Sequence, residues 1–512
     1  MDRSSGSTTR GAKRAEAPVS QDTKLAEAID QELLAVMGYK QELRRHYSTL
    51  QVFAIAFSIM GLLPSIASTL SFSLPAGPAA MVWADLSSAL PTSGGLYWWT
   101  HHFAADKWKN PLSFLVGYSN TIGLIGGICS VDFVSVVHNG EWVASRNLIY
   151  GVYAATVAAH GILAILAAPI MHRIQSVCIV ANVGLVLGTV IALPIGKSRT
   201  VEGINSATYV FGHVENLTTW PTGWAFMLAW LSPIWSVGAF DSCVHMSEEA
   251  INAAKAVPYG ILWAGGACWS LGFLCLCVIA ACMNTDPNVI LKSPLGQPIA
   301  QIYYDALGKN GAIIFMVAMA TVQFFMGLSI TIAASRQTWA FSRDGALPFS
   351  KYLRVVSTRF RYQPARAVVG CAATSIILGL LCLVNSAASN ALFSLTVAGN
   401  YFAWAMPIFC RIFWGQDKFK PGLFYTGRLS TPIAVVALLY MAFAITLSMF
   451  PTAGPSPSAN DMNYTVVING TVWIGSLLYY FLSAKKWFKG PRKTLDPASP
   501  TEAEHRETES EC

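Results

Sequence analysis

Two apolar stretches of this sequence carry a glycine and a proline near their centres. The first contains Gly61 and Pro64, and the second contains Pro233 and Gly238. Proline removes a backbone donor and clashes with the preceding helical turn, while glycine tolerates unwound geometry, so each pair predicts an interrupted helix. At membrane depth the freed N–H and C=O groups are tolerated where they line a polar cavity or are satisfied by other protein. Two such breaks predict a binding site for a small polar or charged solute.

The residues beside the two breaks are the candidates for contact with that solute. They are Gly61, Leu62, Pro64, Ser65, Trp235, Gly238, Ala239 and Phe240. The aromatic faces among them suit a quaternary ammonium or a protonated amine. A plain kink, with the rings serving only for packing, explains either break alone equally well. The occurrence of matched breaks in two stretches favours the binding site.

Two carboxylates, Asp132 and Asp241, lie deepest in apolar sequence. A carboxylate inside a membrane is costly unless it is paired, hydrated or protonated, so each is a candidate for attracting a cation or relaying a proton. The structural alternatives are that Asp132 lies near the outer water boundary and that Asp241 caps the second half of an interrupted helix. His160 could titrate near physiological pH, but a hydrogen-bonded packing role is the simpler interpretation.

The elements that must position these residues are membrane helices. Charged residues make up 12% of the chain and hydrophobic residues 54%, whereas a soluble domain has about 25% charged residues. Apolar windows recur at the length of about 20 residues that a helix needs to cross a bilayer. The predicted spans are 49–74, 76–98, 111–137, 147–169, 173–195, 223–247, 258–283, 311–340, 366–385, 390–410, 430–451 and 465–484. The sequence therefore predicts an all-α polytopic membrane protein.

The basic residues predict the orientation of these spans. Most of the 34 Lys and Arg residues fall in every second connection between spans. Connections rich in basic residues face the cytoplasm. Their dispersal also argues against a nucleic-acid surface. Both termini are then cytoplasmic, with a disordered tail at 1–45, a permease domain at 46–486 and a second tail at 487–512. Glycosylation sequons at Asn216 and Asn463 fall in outer loops, whereas the sequon at Asn469 falls inside the last span.

The second span is short for a membrane crossing. Residues 76–90 include Pro78 and Asp85, and at about 1.5 Å per residue they reach only about 22 Å, less than the hydrocarbon core of about 30 Å. If this span failed to cross, every later basic connection would lie opposite the basic N-terminal segment. The length of this span therefore argues against a crossing. The alternation of the basic connections between the two sides of the membrane argues for one.

Four segments together resemble one family of permeases. They read FSIMGLLPSIAST at 57–69, ADLSSALPTSGGLYWW at 84–99, SPIWSVGAFDSCVHMSEEA at 232–250 and SRDGALPF at 342–349. The sequence resembles the fungal amino acid/choline transporter branch of the amino acid–polyamine–organocation permeases, and its first segment looks most like choline permeases. The resemblance implies a LeuT-like fold with a five-plus-five inverted repeat plus two helices, nominally twelve in all, and a substrate site at the broken spans 1 and 6.

The resemblance also carries expectations about gating and coupling. In the family, acidic and basic residues in inner loops form a gate that closes by ion pairing; the matching residues here are Glu248, Glu249, Arg343 and Asp344, with a solvated loop as the alternative. Related proton-coupled permeases often have a lysine in helix five, and residues 177–195 contain none. Their second span is longer, as though about 15 to 20 residues were missing between Trp83 and Ala84, by a true deletion or a faulty gene model.

The function expected from these features is secondary active transport of a small amine, a choline-like cation or an amino acid across the plasma membrane by alternating access, coupled to protons. Alternatives are an exporter of a nitrogen-containing metabolite from a biosynthetic pathway and a nutrient sensor that moves nothing. No hydrolase, nucleotide-binding or zinc-protease motif occurs in the sequence, so no enzyme activity, cofactor or metal is expected. The expected partners are the small solute and the lipid bilayer, and nothing in the sequence indicates an oligomeric state.

Overall fold

The computed structural model describes residues 21–68, 95–133, 145–213, 219–228, 230–291, 293–295, 297–383, 386–451, 454–458, 462 and 464–494. Within these residues, β structure is limited to isolated bridges between Tyr47 and Ala250 and between Ser357 and Gln363. The helices are α1 (Gln21–Val36), α2 (Thr49–Met60), α3 (Leu62–Ser68), α4 (Gly95–Phe103), α5 (Lys109–Phe133), α6 (Arg146–Leu166), α7 (Met171–Lys197), α8 (Ala207–Gly212), α9 (Thr222–Leu228), α10 (Leu231–Ser236), α11 (Ser242–His245), α12 (Ala253–Cys282), α13 (Pro287–Leu291), α14 (Pro298–Arg343), α15 (Ser350–Leu353), α16 (Ala365–Gly379), α17 (Ser386–Phe413), α18 (Ser430–Ser448) and α19 (Thr465–Leu482). The all-α prediction is confirmed.

The long helices follow the predicted spans closely. For example, α7 covers the span predicted at 173–195, and α18 begins at the predicted residue 430. Eight helical segments of the described chain are long and apolar enough to cross a membrane. Helix α14 extends well beyond the predicted span 311–340 because it joins two helices across Gly308, whose φ of 70° is left-handed.

Burial separates central helices from peripheral ones. In the most apolar windows of Thr49–Ala67 and Lys109–Asp132, 83% and 89% of the residues are buried, compared with 22% in the window of Thr465–Leu482. Helix α2 packs on α12, α5 packs on α17, and α3 contacts α10. The two interrupted spans therefore lie together at the centre, and helices such as α19 present apolar side chains outward, as lipid requires.

The N-terminal expectation of a disordered tail over residues 1–45 is wrong for the residues that the structure describes. Helix α1 is followed by a segment whose Tyr39 and Leu43 are buried. Asp30 accepts hydrogen bonds from the backbone N–H groups of Asn252 (2.7 Å) and Ala253 (2.9 Å) at the start of α12. The composition of this segment is polar enough for disorder. It is ordered because Tyr39 and Leu43 are buried and because Asp30 accepts hydrogen bonds from α12.

The beginning of the C-terminal tail is also ordered. Phe488 is buried, and the Thr494 N–H donates to the Gly38 carbonyl at 2.7 Å. The two chain ends therefore meet on one face of the bundle. The shortened second span at 76–90 lies outside the described residues, as do Asn216 and Asn463, while Asn469 is buried in α19.

Candidate functional site

The break predicted in span 1 is present and is one residue long. Gly61 separates α2 from α3 with φ 44° and ψ 64°, a left-handed conformation that favours glycine. The Ser65 N–H donates to the Gly61 carbonyl at 2.8 Å, and the Ser65 hydroxyl donates to the Met60 carbonyl at 2.5 Å. The helix is therefore interrupted here: the Gly61 carbonyl accepts the first helical hydrogen bond of α3, and the Ser65 hydroxyl satisfies the Met60 carbonyl at the end of α2.

The break predicted in span 6 is longer. Helix α10 ends at Ser236 and α11 begins at Ser242, and Ala239 between them has φ 66°. The Gly238 N–H donates to the Trp235 carbonyl at 3.1 Å, and the Tyr401 hydroxyl donates to the Ile234 carbonyl at 2.8 Å. The helical hydrogen bonds of α10 thus do not continue past its carbonyl end. The Ile234 carbonyl there accepts from Tyr401 of α17 in place of a helical N–H group.

A cavity of about 40 Å³ lies beside the span 6 break. Five spans contribute to its wall. The lining residues are Ile59, Gly127, Val131, Ile234, Trp235, Gly238, Ala239, Met326, Ile330, Thr396, Val397, Asn400, Tyr401 and Trp404. The wall is largely apolar, with polar groups supplied by α17 and by the carbonyl end of α10.

The predicted binding residues divide between the two breaks. Trp235, Gly238 and Ala239 line the cavity. Phe240 lies behind it, buried, with its ring 4.4 Å from that of Trp404. On the described geometry, three of the four span 6 residues reach the cavity and the fourth supports its wall.

The span 1 residues Gly61, Leu62, Pro64 and Ser65 are not among the lining residues, contrary to expectation. A Cβ atom on Gly61 would lie 2.5 Å from the Met326 sulfur, and Met326 itself lines the cavity. The methionine side chain therefore occupies the space beside the span 1 break. The rotamer of a residue more than 250 positions away was not readable from the sequence.

Helix α17 contributes lining residues that the sequence reasoning missed. Thr396, Asn400 and Trp404 are spaced four apart, so they share one helix face. Two polar side chains at this spacing within an apolar span were the available signal, because intramembrane polar groups tend to face the interior of a bundle.

Asp241 is fully buried and lies in a polar chain that leads to the cavity. Its Oδ2 atom is 3.2 Å from His245 Nε2 and accepts from Asn120 Nδ2 at 3.1 Å. Asn120 Nδ2 also lies 3.2 Å from the Oδ1 atom of Asn400, which lines the cavity. The side-chain cap suggested as the alternative role of Asp241 is not formed on α11.

Asp132 forms a second buried pair with an imidazole. Its Oδ2 atom lies 3.2 Å from His160 Nδ1, and both side chains are fully buried. A Cβ atom on Gly327 would lie 2.3 Å from Asp132 Oδ1, so the glycine lets α14 approach the pair. The contact between Asp132 and His160 therefore serves both residues. It gives His160 the hydrogen-bonded packing role that was expected, and it gives Asp132 the pairing that a buried carboxylate needs.

One predicted gate pair is formed between α14 and the segment after α11. The two terminal nitrogens of Arg343 each donate to one Glu248 oxygen at 3.1 Å, a bidentate geometry. Arg343 is 4% exposed and Glu248 is 0% exposed. The guanidinium carbon also lies 4.1 Å from the Tyr39 ring centroid. These loops are therefore buried rather than solvated, and the N-terminal segment covers them.

The other two gate residues have partners that the sequence did not indicate. Glu249 accepts from Arg336 Nε at 2.7 Å. Burial favours the neutral form of Glu249, but Arg336 holds the pKa of its carboxyl below the usual value. Asp344 accepts from the Tyr97 hydroxyl at 2.7 Å and from the Arg492 N–H at 3.1 Å. Burial raises the pKa of Asp344 in spite of these donors.

The sequence of this chain matches a family of known proteins over most of its length. A family model described as "Amino acid permease" matches residues 47–472. The "GABA-specific permease" of Saccharomyces cerevisiae is 43% identical over 93% of this chain and 88% of its own length. An uncharacterised amino-acid permease of Schizosaccharomyces pombe is 32% identical over 91% and 88%.

Among solved structures, a mutant of the manganese transporter of Eremococcus coleocola superposes with a TM-score of 0.45 at 14% identity, covering 93% of this chain and 98% of that one. The family match covers the interrupted spans, the cavity helices and the gate. The chain is therefore a multi-pass membrane protein of all-α fold, and it belongs to the amino acid permease family.

Proposed function

We propose that this protein is a secondary active transporter that carries γ-aminobutyrate (GABA), or an amino acid of similar shape, by alternating access. The observation that carries the proposal is the cavity at the interrupted span 6, where an open helix end faces aromatic rings and polar groups of α17. The name of the yeast relative, at 43% identity, supports GABA as the substrate.

The ammonium end of the substrate would lie at the carbonyl end of α10. A carbonyl oxygen has two lone pairs, so Ile234 can accept from Tyr401 and from a second donor. The carboxyl end of a helix also carries partial negative charge. The rings of Trp235, Tyr401 and Trp404 line the same cavity and would stabilise a cation against their faces.

The carboxylate end would lie toward α17. None of the described lining residues carries a positive charge, and the Thr396 hydroxyl already donates to the Leu392 carbonyl at 3.0 Å, so the available donor is the neutral Asn400 amide. The Asn400 oxygen is the acceptor for Asn120, which leaves the amide nitrogen to donate to substrate. Asn400 would therefore distinguish a zwitterion from a simple cation.

Proton coupling would use Asp241. Its link through Asn120 to Asn400 joins the carboxylate to the proposed carboxylate end of the substrate. A protonated Asp241 would remove a negative charge near that end and favour binding, and release of the proton with the substrate would return the charge. The buried Asp132–His160 pair is the second site that could carry a proton.

The Arg343–Glu248 and Arg336–Glu249 pairs would close the inner side while the substrate site faces outward. Both pairs join α14 to the segment after span 6, so rocking of the interrupted spans against α14 would break them. The distribution of basic residues supports a cytoplasmic location for this face and for both termini. We extend the proposal to the plasma membrane, with glycans at Asn216 and Asn463.

Choline transport is the second candidate, since aromatic walls bind quaternary ammonium ions. It would leave the Asn400 amide without a carboxylate to bind. Export of a nitrogen-containing metabolite uses the same site, because gradients set the direction of a carrier. A sensor would bind substrate and move none.

Uptake into proteoliposomes separates these functions. With the purified protein and an inwardly directed proton gradient, we expect saturable uptake of labelled GABA that unlabelled GABA competes and choline does not. Collapse of the gradient with a protonophore should abolish accumulation but leave exchange of internal for external GABA. Uptake of choline in place of GABA would contradict the substrate, and binding without flux would contradict transport.

A further inference from the structure

A second cavity lies outside the transport pathway, where the end of α17 meets the start of α18. Its volume is about 140 Å³, and side chains of Arg411, Gln416, Phe419, Tyr425 and Thr431 line it. In contrast to the central cavity, it contains a cation and several hydrogen-bonding groups. Neither the interrupted spans nor the gate contributes to it.

Arg411 is a fixed feature of this cavity. The residue is 7% exposed, its Nη2 atom donates to the Ser430 hydroxyl at 2.6 Å, and its guanidinium carbon lies 3.7 Å from the Phe419 ring centroid. A guanidinium plane held against a ring has little rotamer freedom left to lose on binding a ligand. The cation is therefore oriented before any ligand arrives.

The connection between the two helices adds positive charge around the cavity. Lys418, Lys420 and Arg428 lie in it, against one acidic residue, Asp417. Lys418 Nζ donates to the Ala104 carbonyl at 3.2 Å, which ties the connection to the bundle. The local field therefore favours an anionic ligand.

The segments that carry the lining residues also carry exposed side chains typical of a membrane interface. Phe413, Trp414 and Leu429 are 63%, 40% and 63% exposed, and Tyr425, itself a lining residue, is 47% exposed. Tryptophan and tyrosine concentrate at the level of lipid headgroups. The same segments therefore offer a cation for a phosphate and apolar side chains for an acyl chain, which a free phosphate ion does not need.

We propose that this cavity binds the phosphate headgroup of an anionic phospholipid from the leaflet on the side of the ordered chain ends. Arg411, which also donates to the Ser430 hydroxyl, would pair its positive charge with the phosphate oxygens. The Tyr425 and Thr431 hydroxyls would donate to the remaining headgroup oxygens. The exposed Phe413, Trp414 and Leu429 would lie against the acyl chains. Basic pockets between membrane helices on this side are known lipid sites.

Native mass spectrometry of the full-length protein during stepwise delipidation tests the site. We expect wild type to retain one phosphatidylinositol more firmly than phosphatidylcholine, and Arg411→Gln to bind it about tenfold more weakly because the cation that pairs with the phosphate is lost. Lys351→Gln, an exposed cation on another connection, is the matched control and should bind as wild type.

A second variant guards against misfolding of Arg411→Gln. The double substitution Tyr425→Phe/Thr431→Val removes two hydroxyls from exposed lining residues and should also weaken phosphatidylinositol retention. Equal retention by wild type and both variants would overturn the proposal. Displacement of the lipid by inorganic phosphate at equal concentration would assign the cavity to a free anion and overturn the lipid site.

Discussion

Asp241 joins two parts of the molecule through a single carboxylate oxygen. Its Oδ2 atom faces His245 on one side and Asn120 on the other, and Asn120 contacts Asn400 at the cavity. A buried carboxylate needs such partners, because an unpaired charge inside a membrane is costly. This arrangement is the residue-scale basis of the proposed coupling.

Asp241→Asn keeps the shape and an oxygen acceptor but cannot exchange a proton. We expect it to lose accumulation of GABA driven by a pH gradient, by about tenfold or more, and to retain exchange of internal for external GABA. Uptake and exchange in the same proteoliposomes check this. Asp132→Asn is the comparison; loss of accumulation there, with Asp241→Asn intact, would assign coupling to the Asp132–His160 pair.

Phe240 supports the cavity from behind through its ring contact with Trp404. Phe240→Ala removes that support, so we expect the KM for GABA to rise about tenfold, which corresponds to about 1.4 kcal/mol of lost wall contact. Phe481→Ala, at a ring that is 46% exposed on α19, should leave KM unchanged. An unchanged KM in Phe240→Ala, at equal amounts of protein, would argue against this wall as a substrate contact.

At the scale of elements, the two interrupted spans differ more than their sequences suggest. The span 1 break is the single residue Gly61, whereas the span 6 break runs from residue 237 to 241. A proline and a glycine in each span predicted that the helix is interrupted, and each break falls at the glycine, with Pro64 and Pro233 inside α3 and α10. They did not predict that Met326 fills the space beside Gly61, because that depends on how α14 packs against α2 and α3.

The gate illustrates the same limit. Sequence placed Glu248, Glu249, Arg343 and Asp344 near one face, and the structure pairs two of them. The choice of Arg336 for Glu249 and of two tyrosines for Asp344 depends on the docking of distant segments. Acidic and basic residues in separate loops indicate that ion pairs will form, but many pairings satisfy the same charges.

The Arg343–Glu248 pair should be strongly coupled, because removing one partner leaves the other charge buried. We expect Arg343→Gln or Glu248→Gln alone to destabilise the protein by about 3–5 kcal/mol, and the double variant to recover much of that loss. Thermal unfolding of the four proteins in one detergent measures the cycle. Lys109→Gln, in a pair whose Asp106 side chain is 88% exposed, is the control with no expected change; additive effects of the gate variants would contradict the pairing.

At the scale of the whole molecule, the sequence was sufficient for the class and order of the helices. Hydropathy windows predicted α7, α12 and α18 closely because lipid leaves a spanning segment no alternative to a helix. The ordered chain ends were not predictable in this way. Helix α1 and the residues around Thr494 are polar enough for solution. Helix α1 is held through Asp30 at the start of α12, and Thr494 is held by the Gly38 carbonyl in the segment after α1.

The central claim is that substrate binds at the open end of α10, and equilibrium binding of labelled GABA to the purified protein tests it most directly. A Cβ atom on Gly238 would lie 3.2 Å from the Trp235 carbonyl, whereas one on Gly475 would meet nothing within 4 Å. We predict saturable binding by wild type and by Gly475→Leu, and binding at least about tenfold weaker in Gly238→Leu, which fills the cavity. Wild-type affinity in a folded Gly238→Leu protein would contradict the claim.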